Sequence, residues 1–362
     1  MHKVLGEGAY GCVHKPSLQC SDKEISYKNK VSKVMLSKHA VAELREYAMI
    51  SQVDKKRDYF MGVPVRCSVK NNAETRKALS KCGSFKKELS KTKAARDGKE
   101  LKLLIMKDGG KNLKQFAKKF SEKGNSEILP AFWLEIHRLF RGLRVFLQNG
   151  ILHHDIKPHN IVYNEETNRV NFIDFGHMRQ IPATIEKSKK SDNWIYDYPF
   201  WNYPLEIEFL NRVNFMAFAK LSTTERKQYI MKMIREYNAN EDTKFDKAFS
   251  TFMDYMTKNR SHRREIFKIY FNAYQSMLLT QIRVDKYDSF LHKSIETIDT
   301  YGLGMTLQYV ISYMKQLMIP DMVVRLESLF FLMTTPDLSQ RYTIDQAIAE
   351  YEAILRSVGY LV

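Results

Sequence analysis

The chain reads as an α+β protein built from two unlike lobes, and three observations carry that reading. The first 36 of its 362 residues mix glycines with short Val, Ile and Tyr runs, the pattern of twisted antiparallel strands. Leu101-Lys102-Leu103-Leu104-Ile105-Met106 is a further buried-strand candidate, ended by Asp108-Gly109-Gly110. Beyond Gly110 the apolar residues recur at helical spacing, most clearly over 131–148 and 305–317. Hydrophobic residues make up 44% and aromatic residues 12%, which excludes a disordered chain and supplies a core.

The elements follow in order. Gly6-Glu7-Gly8-Ala9-Tyr10-Gly11-Cys12-Val13 fits G-x-G-x-x-G-x-V, where glycines let backbone approach phosphates without side-chain clash. A tight β-turn explains the same residues. Pro16 opposes a helix opening after it, so a flap between two strands fits better than a dinucleotide fold. Val31-Ser32-Lys33-Val34 reads as a strand. Residues 39–52 read as a helix with Val41, Leu44 and Ala48 on its apolar face and Tyr47 beside them; it also carries Glu43 and Glu46. Ile161-Val162-Tyr163 and Val170-Asn171-Phe172-Ile173 read as short paired strands. Ser222-Thr223-Thr224-Glu225 is a capping box before Tyr229, Met231, Met233 and Ile234. Two aromatic stripes follow: Phe245, Phe249, Phe252 and Met256, then Phe267, Tyr270, Phe271, Tyr274 and Met277.

Charge and cysteine usage bound the partners. The formal charge is +17, and residues 70–102 hold eleven Lys/Arg against four acids. Such an excess suits nucleic acid or another anionic partner. No nucleic-acid-binding motif accompanies it, so a solvated basic surface is the simpler reading. Cys12, Cys20, Cys67 and Cys82 form no C-x-x-C pair, so neither a zinc site nor a disulfide framework is expected, and an intracellular, reducing compartment follows. No apolar run reaches the length of a membrane span, and the first residues show no signal-peptide core.

The densest chemistry lies in His153-His154-Asp155-Ile156-Lys157-Pro158-His159-Asn160, followed by Asp174-Phe175-Gly176. As a metal cluster, H-H-D-x-x-x-H lacks the i, i+4 helical spacing of a zinc motif, and Pro158 argues for a loop. The segment instead resembles H-R-D-x-K-x-x-N and D-F-G of the eukaryotic-type protein kinases. Asp299-Thr300-Tyr301-Gly302-Leu303-Gly304 is similar to the family's D-x-[WY]-[SG]-x-G. The run from Pro336 to Thr343 is similar to its late P-D-x-x-x-R-x-T element, with Glu206 of Tyr203-Pro204-Leu205-Glu206 as partner of Arg341.

The resemblance implies a bilobal protein-kinase-like fold: an N-lobe over 1–107 with a basic insertion at about 68–100, and a C-lobe over 108–362 with a helical insertion at about 207–297. It implies ATP and Mg²⁺ (or Mn²⁺) as cofactors and transfer of the γ-phosphoryl group to Ser/Thr hydroxyls of a protein substrate. Asp155 is then the catalytic base and Lys157 the charge stabiliser, with Asn160 and Asp174 as metal ligands. Nucleotide binding falls to Gly6, Glu7, Gly8, Ala9, Tyr10, Gly11, Val13, Val31, Lys33, Glu46, Met106 and Val162. Glu46 is the expected partner of Lys33, with Glu43 as competitor, and Met106 lines the back of the adenine pocket. Lys157 two residues after Asp155 resembles the Ser/Thr branch, whereas Tyr198-Pro199 stands where that branch usually has Thr-Pro. His154 replaces the family's usual arginine, which commonly pairs with a phosphorylated activation loop, so little dependence on such phosphorylation is expected. A small-molecule kinase on the same fold and a pseudokinase scaffold are the rival readings. The long insertion and the Lys/Asn/Tyr-rich sequence also resemble kinases of large nucleocytoplasmic DNA viruses. Oligomeric state stays open.

Overall fold

A computed structural model of the chain describes residues 2–8, 10–83, 85, 100–190, 202–238 and 263–361. These fall into two compact units: Met1–Gly110 with Asn171–Gly176, and Lys111–Val170 with His177–Val362.

The first unit is built on a five-stranded antiparallel sheet in the order β1-β2-β3-β5-β4. The strands are β1 (Lys3–Gly8), β2 (Gly11–Lys15), β3 (Lys30–Leu36), β4 (Val65–Ser68) and β5 (Leu101–Lys107). Side chains alternate between the two faces of a strand, and residues directly opposite share a face. The register Val13↔Lys33↔Leu104 and Val31↔Met106 therefore puts Val13, Val31, Lys33 and Met106 on one face. Cys12↔Val34↔Leu103↔Cys67 lie on the other face, where they join the buried cluster of Leu36, Leu101, Ile105 and Phe85. One face is thus filled with core, and the opposite face carries the lysine.

Helix α1 (Ser37–Val53) follows β3 directly, and its phase differs from the expected one. The buried residues are Ala40, Glu43, Tyr47 and Ile50, a 3-4-3 spacing one position behind Val41, Leu44 and Ala48. A carboxylate in the middle of the buried stripe disguised it. The cysteines also correct the sequence reading. Cys12 pairs with Cys82 and Cys20 with Cys67, so two disulfides tie the sheet to its flanking segments without any C-x-x-C spacing. Their sequence separations of 70 and 47 residues make the pairing a property of the fold that local spacing does not show. Helix α2 (Ala73–Leu79), capped by Asn72, lies within the basic segment. The rest of that segment, from 86 to 99, lies outside the described residues.

The second unit is mainly helical. A three-stranded sheet orders β6 (Lys111–Asn112), β8 (Ile161–Asn164) and β9 (Arg169–Phe172), and β7 (Ile151–Leu152) pairs with β10 (Arg179–Gln180). Helices α3 (Leu113–Lys123), α4 (Leu129–Gln148) and α5 (Ile181–Lys190) come first. α6 (Arg212–Ala219), α7 (Thr223–Asn238) and α8 (Arg263–Thr280) occupy the expected insertion. The reciprocal Ser222–Glu225 bonds cap α7 as expected. Along α8, Tyr270, Phe271, Tyr274 and Met277 are buried. Phe245, Phe249, Phe252, Met256 and the side chains of Met233, Ile234 and Phe267 lie outside the described residues.

α9 (Tyr287–Met314) is the central helix, packed against α3, α4 and α10 (Pro320–Thr334), while α11 (Ile344–Ser357) closes on α4 and α10. Its start is 18 residues earlier than the expected 305, because Ser294, Thr297, Asp299 and Thr300 are polar yet buried. A helix enclosed all round shows no amphipathic period from which to read its start.

Candidate active site

The first unit gathers its chemistry around Lys33. Its ammonium lies 2.7 Å from Glu43 Oε2 and 3.2 Å from Asp174 Oδ1. Burial pulls the lysine pKa down, but Asp174 and Glu43 raise it further than burial lowers it, so the side chain is charged. Asp174 reaches this unit because Phe175 is wedged beside α1. Its ring meets Tyr47 at 5.4 Å and Phe60 at 6.2 Å, both edge-on, and Phe172 N donates to Tyr59 O. Asp174 has φ +61°, a left-handed conformation that a non-glycine residue holds only when its surroundings enforce it.

Glu46 does not hold Lys33; this corrects the expectation. It sits off the buried stripe of α1, and its carboxylate faces Gly176 instead, with Oε2 3.9 Å from where a Cβ would stand. Burial, then the charges of Glu43 and Asp174, push its pKa up to about 7.

The glycine segment forms the hairpin end between β1 and β2, with Gly8 opposite Gly11. A Cβ on Gly11 would stand 2.9 Å from Val34 O and 3.4 Å from the Lys33 side chain, so only glycine lets β2 lie this close to β3. Gly6 and Gly8 have open space where a side chain would be. Glu7 faces the other side of the sheet, where its carboxylate accepts the Phe85 N–H at 2.9 Å. Tyr10 is exposed and packs on His39, and Ala9 lies outside the described residues. Met106 packs against the cluster of Met35, Ala40 and Leu104.

In the second unit one loop gathers a polar cluster of its own. Lys157 Nζ lies 2.9 and 2.8 Å from the two oxygens of Asp155. Asn160 Nδ2 donates to Asp155 O at 3.0 Å and to its Oδ2 at 2.7 Å. Asp299, midway along α9, accepts both the His153 and His154 N–H groups, at 2.6 and 2.8 Å. Gly302, one turn further along α9, is where a Cβ would meet Ile156 O at 2.9 Å, so the helix backs directly onto the loop. Burial raises the Asp299 pKa to about 7, against the two amide bonds, which lower it. Val162 is buried in β8 opposite Asn112. Arg341 and Glu206 form a bidentate pair with both side chains fully buried, and the guanidinium stacks over Tyr301 at 5.2 Å.

Residues 109–197 match the family model of the protein kinase domain. "Cyclin-dependent kinase B2-1" of Arabidopsis thaliana is 26% identical over 93 residues, 26% of this chain and 30% of the relative. "Cell division control protein 2 homolog D" of Antirrhinum majus is 26% identical over 92 residues, 25% of this chain and 30% of the relative. The chain thus spans about 30% of the length of these curated relatives. The stretch 109–197 is thus similar to the protein kinase domain, in line with the motifs it carries.

Asn202 and Tyr203 make contacts with the Asp155 loop that the sequence did not signal. Asn202 Nδ2 donates to Asp155 Oδ1 at 3.2 Å and to Ile156 O at 3.3 Å. Tyr203 OH donates to His154 O at 2.6 Å and lies 3.1 Å from the His154 ring. Both precede Pro204-Leu205-Glu206, and only their contacts single them out. Tyr198-Pro199 lies outside the described residues. His154 is buried with φ +63°. Burial first, then the neighbouring charges of Arg179, His177 and His153, hold its pKa well below the ordinary histidine value.

Proposed function

We propose that the chain is an ATP- and Mg²⁺-dependent protein kinase that phosphorylates Ser/Thr hydroxyls of protein substrates. The observation that carries this reading is the Lys33 ammonium held between Glu43, ten residues on, and Asp174, 141 residues on. Two carboxylates around one ammonium leave negative charge in excess, which suits a site that receives cations with its ligand and serves stability poorly.

Asn160 and Asp174 each carry a donor that suits a hard cation. Asn160 uses its Nδ2 in both bonds to Asp155, which leaves its carbonyl oxygen as the ligating atom. Asp174 adds a carboxylate whose side chain is 44% exposed. Amide and carboxylate oxygens are the donors Mg²⁺ and Mn²⁺ take. When bound, the metal neutralises phosphate charge.

The protein's own groups supply the rest. Lys33, oriented by Glu43, donates to the α/β-phosphate oxygens. Asp155 orients the attacking hydroxyl and accepts its proton. Lys157, within hydrogen-bonding distance of both Asp155 oxygens, offsets charge on the transferring phosphoryl group. Asp299 fixes the loop through two backbone amides, so Asp155 is positioned before substrate arrives. Lys157 supports Ser/Thr over Tyr as acceptor. The buried Glu206–Arg341 pair supports a protein kinase over a small-molecule kinase, which usually lacks the late arginine.

The test is transfer of radiolabel from ATP to a generic basic protein, followed by phosphoamino-acid analysis. Wild type should label Ser/Thr, and Asp155→Asn should lose on the order of 10²–10⁴-fold in rate. Asp174→Ala should abolish labelling. Equal labelling by Asp155→Asn would remove Asp155 as the base. Wild type that binds ATP without transfer would make the chain a scaffold.

A further inference from the structure

Cys12, His14 and Cys82 lie together in the first unit, all three fully buried, with their donor atoms within 4.8 Å of one another. Alternation along β2 puts Cys12 and His14 on the same face, and the segment after α2 brings Cys82 to them. The ring nitrogen Nε2 of His14 is 3.8 Å from Cys12 Sγ and 3.5 Å from Cys82 Sγ. The other cross-linked pair, Cys20–Cys67, has no place in this cluster and serves as an internal control.

One of the two imidazole nitrogens has no hydrogen-bond partner. Buried polar atoms nearly always have partners. Here Nδ1 has none, and Nε2 makes a long hydrogen bond to Ala78 O at 3.4 Å, which a metal on Nε2 would replace.

The sulfur distances give the arrangement a meaning. A tetrahedral zinc ion with Zn–S of about 2.3 Å and Zn–N of about 2.0–2.1 Å fixes the N···S edges at about 3.6 Å and the S···S edge at about 3.8 Å. Both N···S edges are already near that length. Only the sulfurs have to part. We propose that the reduced chain binds one thiophilic d¹⁰ cation of the Zn²⁺ class on Cys12 Sγ, Cys82 Sγ and His14 Nε2, and that the Cys12–Cys82 disulfide is the oxidised, metal-free form of this site.

The interconversion balances. A dithiol reductant supplies two electrons and two protons, leaving two protein thiols and becoming a disulfide itself. Zn²⁺ then displaces both thiol protons, and the ring proton resides on Nδ1. In the other direction, a peroxide takes two electrons from the two thiolates. The S–S bond forms, two solvent protons complete two waters, and Zn²⁺ is released. Cys12 stands between Gly11 and Val13 of the glycine hairpin, so the state of this site sets what anchors that hairpin.

Co²⁺ titration of the full-length chain tests the proposal, because only sulfur ligation gives a near-ultraviolet sulfur-to-Co²⁺ charge-transfer band. An oxygen-lined Mg²⁺ site that takes up Co²⁺ gives none, so this result is separate from the kinase reading. The reduced, anaerobic protein should show the band and retain one Zn²⁺ per chain after dialysis. Oxidised protein should show neither. Cys82→Ser should lose the band, while Cys20→Ser combined with Cys67→Ser should keep it, with folding checked by circular dichroism. Reduced wild type without a band in excess Co²⁺ would overturn the proposal, and that readout needs no variant. A band that survives in folded Cys82→Ser would overturn it too.

Discussion

Two buried ion clusters in this chain follow opposite rules. In the second unit, Arg341 and Glu206 are both 0% exposed and charge-balanced, and further bonds from Arg341 to Thr335 O and from Ser294 to Glu206 saturate them. In the first unit, Lys33 is 16%, Glu43 7% and Asp174 44% exposed, and two carboxylates share one ammonium. Glu46, with its raised pKa, adds a third acid to the same neighbourhood. A closed, neutral pair locks a fold. An open cluster with surplus negative charge suits the cation-bearing ligand proposed for it. The difference separates a brace from a site without reference to any motif.

The largest effect should come from breaking the brace. Arg341→Met leaves Glu206 charged and buried without its partner, and should cost about 3–5 kcal/mol of stability by urea denaturation. Adding Glu206→Leu should recover much of that loss, because an apolar pair of similar volume avoids desolvating two charges. A cost under about 1 kcal/mol for the single variant would mean that water reaches the pair and the contrast with Lys33 is false.

Breaking the open cluster should affect chemistry more than folding. Lys33→Met should lower kcat/KM for ATP by on the order of 10²–10³-fold, the usual cost of one preorganised electrostatic donor. Its unfolding midpoint should move far less than that of Arg341→Met. If both variants lost equal stability, the cluster around Lys33 would be a second brace.

Next in size is the division between two acids one turn apart on α1. Glu43→Gln should lower kcat/KM by about ten- to a hundredfold, the worth of one charged hydrogen bond. Glu46→Gln should leave it near wild type and change stability instead. The Glu46 pKa is raised by burial to about 7, so between its unfolded value and pH 7 the folded state binds more protons. Stability therefore falls as pH rises through that window. Glu46→Gln should remove the fall and leave the nucleotide-free protein more stable at pH 8. Glu46 as a residue is only half-buried, so water screens part of the effect and the gain is on the order of 1 kcal/mol. Thermal unfolding of both proteins from pH 5 to 8 checks the sign. A wild type that gained stability over this range relative to Glu46→Gln would contradict the geometry.

What the sequence revealed follows the range of the interactions. Asp155, Lys157 and Asn160 were legible because one loop of six residues brings them into mutual hydrogen-bond range. Lys33 was legible from its strand and from the glycine hairpin before it. The partner of Lys33 was not, because Glu43 and Glu46 differ only in helical phase, and the phase is set by a carboxylate lying where an apolar residue is expected. Asn202 depends on a contact 47 residues away, and the disulfides join positions 70 and 47 apart. α9 was half-hidden because total burial erases the period that marks a surface helix.

The smallest effect concerns His154, and there the expected result is no change. A kinase that needs a phosphorylated activation segment needs a cation beside Asp155 to receive the phosphate. His154 is 1% exposed, and burial and the positive charges around it keep its ring neutral near pH 7. Tyr203 fills the role mechanically. Its hydroxyl bonds to the His154 carbonyl, and the neighbouring Asn202 bonds to Asp155, so the segment before Glu206 is fastened to the loop without any phosphate. Phosphatase treatment of purified protein should leave the proposed phosphoryl transfer unchanged, whereas Tyr203→Phe should lower it by removing that fastening. Activity lost on dephosphorylation and regained at a defined phosphosite would show that a cation other than His154 reads the phosphate.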